Sequence, residues 1–259
     1  MTTKFGNRTI TITFGDQAEN HVGMQKIGKM AESGFNYEEL AKAKELFEKQ
    51  DYKCELIDLR FPEDGNDYPP AYILIVRNGV NALLADSKKN NDDLFKEHVG
   101  LKWDKKALMY GKVVNKKARF NLCFGEKNQE PDYENGKGRI VSFTDIPITN
   151  MIRERLPFYF GDKAKDLFAE GNSYGKDGGI SFHGDSERKK VLAVRLGEKM
   201  KLVYRWYCRS EAISKKIEFV LNHGDLYVMC EKATGNDWKK KNIYTLRHAT
   251  GCQKFLTIK

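Results

Sequence analysis

The 259-residue sequence has no apolar run long enough to span a bilayer, which takes about 18 residues or more, and no signal-peptide hydrophobic segment. A membrane span and secretory export are therefore not expected. The five cysteines are scattered and odd in number, which disfavours a disulfide framework. These absences predict an intracellular protein in a reducing compartment, the cytoplasm or the nucleus. We expect a monomer with no membrane partner.

The common zinc motifs CxxC and HExxH are also missing. The stretch GNSYGKDGGISFHGDSE at 171–187 instead contains a His-x-Asp tripeptide. A turn at Asp177-Gly178-Gly179 predicts that a strand follows at 180–185. Because side chains alternate along a strand, His183 and Asp185 would share one face, about 7 Å apart. This spacing allows both to contact one ion.

A third protein ligand is needed to complete such a site. His248 is the best candidate among the remaining histidines, and His223, in the predicted turn Asn222-His223-Gly224-Asp225, is its rival. Two histidines and one carboxylate leave three positions open on a non-haem Fe(II), enough for a chelating cosubstrate and O₂. Zinc would more often be closed by a fourth ligand. The residue types therefore favour iron.

The motif N-x-Y-x8-H-x-D at 172–185 is followed by LNHGDLYVM at 221–229 and RHATGCQKFLTIK at 247–259. Together they resemble the AlkB-like branch of the Fe(II)/2-oxoglutarate-dependent oxygenases, in which N-x-Y and H-x-D precede an H-G-D/S strand, a distal histidine and a final R-x-N-L-T-F-R strand. The resemblance covers residues 105–259. It implies a double-stranded β-helix and an oxidoreductase activity that uses O₂.

The resemblance implies that His183, Asp185 and His248 bind Fe(II) and that Asn172 and Tyr174 contact 2-oxoglutarate. Glu187 occupies the place of a carboxylate that faces the substrate base in some members. The chain departs from the pattern at its end, where Gln253 and Lys259 replace two arginines. A buried cosubstrate carboxylate needs a cation. We therefore expect Lys254 or Lys259 to supply it.

For the whole chain we predict an α+β fold with a mostly β core, a jelly roll with flanking helices and an N-terminal α/β extension. Residues 1–104 would form a small module of unknown role, and residues 105–259 the oxygenase domain. Alternating and helical periodicities give the individual elements. Strands are expected at 8–14, 54–59, 71–76, 180–185, 191–196, 202–208, 217–220, 226–229 and 255–258, and helices at 37–50, 91–105, 147–156 and 164–170.

Residues 107–145 would form a substrate lid, with Tyr133 or Phe124 as the aromatic residue over the substrate base. Interleaved lysines and aromatics suit stacking and phosphate contact, although an edge strand with solvated lysines has the same composition. The whole formal net charge of +9 lies in residues 150–259, which favours DNA or RNA as partner. The alternatives are a prolyl or lysyl protein hydroxylase and a catalytically silent nucleic-acid-binding module.

Overall fold

The computed structural model describes residues 4–257. This part of the chain forms a mixed α+β structure that is mostly β. The helices are α1 (Tyr37–Glu48), α2 (Gly79–Leu83), α3 (Asn91–Val99), α4 (Pro147–Phe160) and α5 (Glu231–Thr234). The strands are β1 (Thr9–Gly15), β2 (Gln17–Glu19), β3 (Lys26–Gly28), β4 (Cys54–Asp58), β5 (Tyr72–Val76), β6 (Lys106–Met109), β7 (Lys112–Asn115), β8 (Phe120–Gly125), β9 (Ile140–Ser142), β10 (Phe168–Tyr174), β11 (Gly179–His183), β12 (Val191–Gly197), β13 (Met200–Cys208), β14 (Glu211–Ala212), β15 (Ile217–Leu221), β16 (Leu226–Met229) and β17 (Thr245–Gly251).

The larger sheet has eight strands in the order β4-β5-β16-β12-β1-β10-β8-β9. All its pairings are antiparallel except that of β8 with β9. Strand β1 lies near the middle and alternates threonine with apolar residues. Ile10, Ile12 and Phe14 are fully buried in the main hydrophobic core. The threonines therefore point to the other face of the sheet.

The smaller sheet is built from β11-β17-β13-β14, with β15 also paired to β13. Its strand β13 contributes Leu202, Tyr204 and Trp206 to the same hydrophobic core as the larger sheet. Trp206 Nε1 donates to the carbonyl of Leu59, 2.7 Å away. Two curled, mostly antiparallel sheets that share a core are compatible with a β-sandwich. Within residues 4–257, every helix falls short of the length and apolar character that crossing a bilayer requires.

Helix α1 begins where the sequence predicts. Asn36 accepts from the amide of Glu39, whose carboxylate accepts in return from the amide of Asn36, a reciprocal cap that fixes the helix start. Leu40, Ala43 and Phe47 form its buried stripe. The ring of Phe47 stacks on that of Tyr159 of α4, with centroids 3.8 Å apart. Helix α1 thus packs against α4 and also against β4 and β5.

Residues 4–104 share the larger sheet with the rest of the chain. Strand β1 pairs with β10 and β12, and β5 pairs with β16. The main hydrophobic core likewise includes residues from both sides of position 104. The predicted boundary at residue 104 therefore does not coincide with a boundary between sheets.

Two predictions of secondary structure fail, and one strand that carries a site residue was not predicted. Residues 164–170 were expected to be helical, but β10 begins at Phe168 because pairing with β1 and β8 outweighs the local helical spacing. In place of the strand expected at 255–258, the described residues form a 3-10 helix at Gln253–Phe255 followed by a bend; Ile258 lies outside the described residues. Strand β17, which contains His248, was not predicted, since Arg247 and His248 interrupt its apolar pattern.

Candidate metal centre

A cavity of about 300 Å³ lies between the two sheets. This volume is at the lower end of the range for small-molecule sites. One wall comes from the larger sheet and the other from the smaller sheet, and the mouth is formed by loops. The lining includes Thr11, Glu170, Asn172, Tyr174, Arg195 and Tyr227 from the larger sheet, Ile180, His183, Leu202, His248 and Thr250 from the smaller sheet, and Glu19, His21, Val22, Arg119, Asp185, Glu187, Arg188, Trp238 and Lys239 from loops and strand ends.

Polar side chains form a row across the larger sheet at this cavity. Thr11 lies opposite Asn172 of β10 on one side and opposite Arg195 of β12 on the other. All three are buried, with exposed fractions of 4%, 7% and 0%. Residues on the inner face of a sandwich are ordinarily apolar. A polar row at this depth therefore makes the cavity a candidate site for a polar ligand.

The smaller sheet brings the predicted metal ligands together. His183 on β11 lies directly opposite His248 on β17, and the ring centroids are 4.5 Å apart. Asp185 follows β11 and directs Oδ1 toward both rings, 3.6 Å from His183 Nε2 and 3.5 Å from His248 Nε2. The ligand atoms of the three residues all lie within 4.8 Å of one another. This largely buried group could hold one metal ion.

The protonation of His183 suits a metal ligand. Its Nδ1 lies 2.8 Å from the carbonyl of Ser181. Because a carbonyl only accepts, Nδ1 carries the hydrogen and Nε2 presents its lone pair toward Asp185 and His248. Burial, followed by the neighbouring His248, lowers the pKa of His183 to about 3. The ring is therefore neutral at physiological pH, as metal binding requires.

Asp185 is kept ionised by its neighbours. Burial alone would raise the pKa of its carboxyl, but Arg188 and His248 lower it below its usual range. Arg188 is only 3% exposed. Its Nη2 donates to Glu170 and to Glu187, each at 2.5 Å. The arginine thus stands at the centre of three carboxylates, one of which is the candidate ligand.

Glu19 and Glu187 line the mouth of the cavity, and the pKa values of their carboxyls shift in the direction opposite to that of Asp185. Burial raises the pKa of both carboxyls above their usual range. The charge of Glu187 raises the pKa of Glu19 further. The mouth therefore presents carboxyl groups that hold a proton more readily than exposed ones do.

Arg195 is the second buried arginine at the cavity, and its surroundings differ from those of Arg188. Its Nη2 donates to Thr250 Oγ1 and its Nη1 lies near Met200 Sδ, both at 3.3 Å. Its Nε has no hydrogen-bond partner in the described part of the chain. Among residues 4–257, none of the ion pairs includes this guanidinium. Within the described residues, Arg195 therefore has polar neighbours but no carboxylate partner.

The structure places the other predicted cavity residues as follows. Asn172 and Tyr174 lie on one face of β10 and line the cavity. The amide of Asn172 is engaged, because Oδ1 accepts from Arg119 Nε at 2.8 Å and Nδ2 donates to Glu170 at 2.9 Å. Glu187 also lines the cavity, where it is paired with Arg188.

Tyr133, Phe124 and Lys254 are not among the residues that line this cavity. Tyr133 lies in a 3-10 helix and donates its hydroxyl to the buried Asp104, 2.8 Å away. Phe124 is fully buried in the core. Lys254 lies in a 3-10 helix and is exposed, and Lys259 lies outside the described residues.

The rival ligand His223 forms hydrogen bonds away from the His-Asp-His group. Its Nδ1 accepts from the amide of Gly197 at 2.9 Å, and its Nε2 lies 3.1 Å from Asp92. Sequence reasoning missed Arg195 and Arg188, and it placed Arg119 among the basic residues of the predicted lid without assigning it to the cavity. Arg195 had a visible signal, a charged residue inside the otherwise apolar strand VLAVRLG. Nothing local distinguishes Arg188 and Arg119 from surface arginines.

The fold and site define a mixed, mostly β protein with a His-Asp-His group that could hold a metal between two sheets. No protein-family profile matches the chain. The chain is similar to uncharacterized protein R156 of Acanthamoeba polyphaga mimivirus, with 48% identity over 253 residues that cover 96% of this chain and 97% of the relative. This chain therefore belongs to the same family as R156.

Proposed function

We propose that this protein is an Fe(II)- and 2-oxoglutarate-dependent dioxygenase that hydroxylates or oxidatively demethylates a substrate C–H, with DNA or RNA as the substrate. The observation that best supports the proposal is the position of Arg195. A fully buried guanidinium without a carboxylate partner in the described residues lines the same cavity as His183, Asp185 and His248. Such a charge is costly unless an anionic ligand binds beside it.

A dicarboxylate that also chelates a metal would bind both to Arg195 and to a metal ion held by the His-Asp-His triad. Thr250, which accepts from Arg195, lies two positions after His248 on β17, so both side chains point to the same face of the strand. One end of 2-oxoglutarate would contact the metal held by the triad, and its far carboxylate would pair with Arg195, because Thr250 Oγ1 already donates its hydrogen to the carbonyl of Lys201. We therefore propose Arg195, in place of Lys254 or Lys259, as the cation for that carboxylate. A guanidinium can bind a carboxylate through two parallel hydrogen bonds.

The donor set fits iron. Two imidazoles and one carboxylate are the protein ligands of many non-haem Fe(II) oxygenases. Bound Fe(II), with 2-oxoglutarate and O₂ as co-reactants, would supply the oxidation of a substrate C–H, giving succinate, CO₂ and the hydroxylated product. An N-methyl group hydroxylated in this way loses formaldehyde, which amounts to demethylation. We also propose that the two sheets form a double-stranded β-helix, because the cavity lies between two curled sheets.

The chain's own residues would position and protect the reactants. Arg188 holds Asp185 in place through its second oxygen, and Ser181 fixes the orientation of His183. Trp238 and Lys239 at the mouth, together with Arg119, offer a ring and positive charge to a polyanionic substrate. These features favour nucleic acid over a protein side chain as the substrate.

The test is anaerobic addition of Fe(II) and 2-oxoglutarate while the visible absorption is recorded, followed by aerobic turnover with modified oligonucleotides. We expect a weak charge-transfer band and formation of succinate. His183→Ala, Asp185→Ala and His248→Ala should each abolish both signals. His223→Ala is the matched control and should retain them, since His223 is bonded elsewhere.

Turnover that persists in all three ligand variants would exclude the iron site. Absence of 2-oxoglutarate binding by the wild-type protein would exclude the cosubstrate. Oxidation of peptides but not of oligonucleotides would identify a protein hydroxylase, and binding of oligonucleotides without any oxidation would identify a silent binding module.

A further inference from the structure

A two-stranded hairpin of β6 and β7 has an unusual residue at its tip. The turn consists of Tyr110 and Gly111, and both have positive φ, 49° and 74°. Two-residue hairpin turns of this kind favour asparagine, aspartate and glycine, whereas a bulky side chain is strained there. Tyr110 is also 100% exposed. Neither turn geometry nor packing therefore accounts for an aromatic residue at this position.

The hairpin is strongly basic. Residues 105–119 contain five lysines and one arginine and no acidic residue. Lys105, Lys106, Lys112 and Lys117 are all exposed. A short segment with this charge attracts polyanions in solution. The combination of a free ring and flanking lysines is the one that single-stranded nucleic acid requires, because bases stack on the ring and phosphates contact the cations.

The base of the hairpin adjoins the mouth of the cavity. Lys116 donates to Asn20 Oδ1 at 2.7 Å, and the next residues in the chain, His21 and Val22, line the cavity. At the other end, Arg119 lines the cavity and donates to Asn172 of β10. A polymer bound along the hairpin would therefore be led to the entrance of the site.

We propose that the β6–β7 hairpin binds single-stranded nucleic acid outside the cavity, with Tyr110 stacking on a base and Lys106 and Lys112 contacting phosphates. The proposal rests on the proposed function for its choice of substrate class and adds a contact surface to it. A lipid surface fits the hairpin less well, because membrane-binding elements bury a broad apolar face. Here one fully exposed ring stands between Gly111 and the half-buried Met109.

The test measures binding by fluorescence anisotropy in the presence of EDTA, so that it does not depend on metal or turnover. The probe is a labelled oligothymidylate of about 15 nucleotides, near the site size of single-strand-binding modules. Tyr110→Ala should weaken binding about tenfold, the effect of losing one stacked base. Tyr110→Asn should weaken it equally and keep or raise the melting temperature, because asparagine tolerates positive φ.

The lysines are tested by the salt dependence of binding. In Lys106→Gln/Lys112→Gln, the slope of log affinity against log salt should fall by about 1.4, corresponding to two phosphate contacts on a single strand. Lys42→Gln/Lys49→Gln removes the same charge from two exposed positions, one on α1 and one at its C-cap. This control should leave the slope at the wild-type value.

The proposal is overturned if both Tyr110 variants bind as the wild type does, or if the α1 control loses as much affinity as the hairpin variant. It is also overturned if the wild-type protein partitions onto phosphatidylserine vesicles but does not bind the oligonucleotide. Failure of the dioxygenase assay alone would leave these binding results unaffected.

Discussion

Arg188 Nε lies 3.8 Å from Oδ2 of Asp185, whereas Oδ1 of the same carboxylate faces the two histidines. One oxygen of Asp185 is thus held by the protein and the other is directed at the metal position. Arg188 also pairs with Glu170 and Glu187. A single buried cation therefore pairs with three carboxylates and orients the candidate ligand.

Replacement of Arg188 by methionine should be strongly destabilising, because it leaves buried carboxylates without a partner. We expect the free energy of unfolding to fall by about 3–5 kcal/mol, measured by urea denaturation. The control is Arg60→Met, which breaks an exposed pair with Asp58 and should have no measurable effect. An Arg188→Met protein as stable as the wild type would show that this cluster is not a stabilising network.

Replacement of Arg195 by methionine should not lower the free energy of unfolding, in contrast to the replacement of Arg188. The change removes a buried charge that has no carboxylate partner in residues 4–257, so stability should be unchanged or higher. The affinity for 2-oxoglutarate should fall about 10- to 100-fold, as expected for a lost charged hydrogen bond. Thermal shift with and without Mn²⁺ and 2-oxoglutarate measures both effects. A destabilised variant that still binds the cosubstrate would contradict the assignment.

The buried His98 should make the protein less stable as the pH falls. Thr149 Oγ1 donates its one hydrogen to Glu97 Oε2 at 2.7 Å, so His98 Nε2, also 2.7 Å from Thr149 Oγ1, is the donor of that bond. Burial lowers the pKa of His98 from 6.5 to about 3. The unfolded chain therefore gains a proton below pH 6.5 that the folded protein does not take up until about pH 3.

This difference should cost about 2 kcal/mol of stability between pH 6.5 and 5. His98→Gln retains an N–H donor but has no group that titrates in this range, so its unfolding free energy should fall less over the same interval. Urea denaturation at several pH values gives the two curves. The lowered pKa of His183 affects the pH dependence of stability equally in the wild type and in His98→Gln. The difference between their two stability curves therefore reports His98 alone. Parallel curves would exclude this role.

The metal-binding group could be predicted from the sequence because its parts have local signals. Period-two alternation predicted that His183 and Asp185 act together, and His248 followed as the best of the remaining histidines. The pairing of β11 with β17 places His248 opposite His183, and no local pattern reports such a long-range register. The structure confirms that these three side chains meet, whereas iron and 2-oxoglutarate remain predictions.

The cation proposed to pair with the carboxylate of 2-oxoglutarate could not be predicted in the same way. A cation was expected near the C-terminus because the resemblance places it there, yet the described end of the chain is a 3-10 helix with Lys254 exposed. Arg195 lies on β12, between β1 and β16 of the larger sheet. Its lack of a carboxylate partner in residues 4–257 is a property of the packed sheets. The sequence shows a charged residue inside the apolar strand VLAVRLG, but only the tertiary arrangement shows that this arginine lacks a carboxylate partner in the described residues.

Gly184, between the two ligands of the His-x-Asp tripeptide, should tolerate no side chain. A Cβ atom there would lie 2.0 Å from the carbonyl oxygen of Gly235 and 2.8 Å from Cδ1 of Trp238. The amide of the next residue, Asp185, donates to the carbonyl of Thr234 at 2.9 Å. The His183–Asp185 segment therefore contacts the end of α5 directly, and a displacement of Gly184 would move Asp185.

Gly184→Ala should lower the free energy of unfolding by about 1–3 kcal/mol, the usual cost of overpacking, and should weaken Co²⁺ binding followed by visible absorption. Gly175→Ala is the matched control, because a Cβ atom at Gly175 has no neighbour within 4 Å, and it should behave as the wild type. If Gly184→Ala lost stability but bound Co²⁺ normally, the close contact with Gly235 would serve the fold alone. If both variants matched the wild type, the position of Asp185 would not depend on this contact.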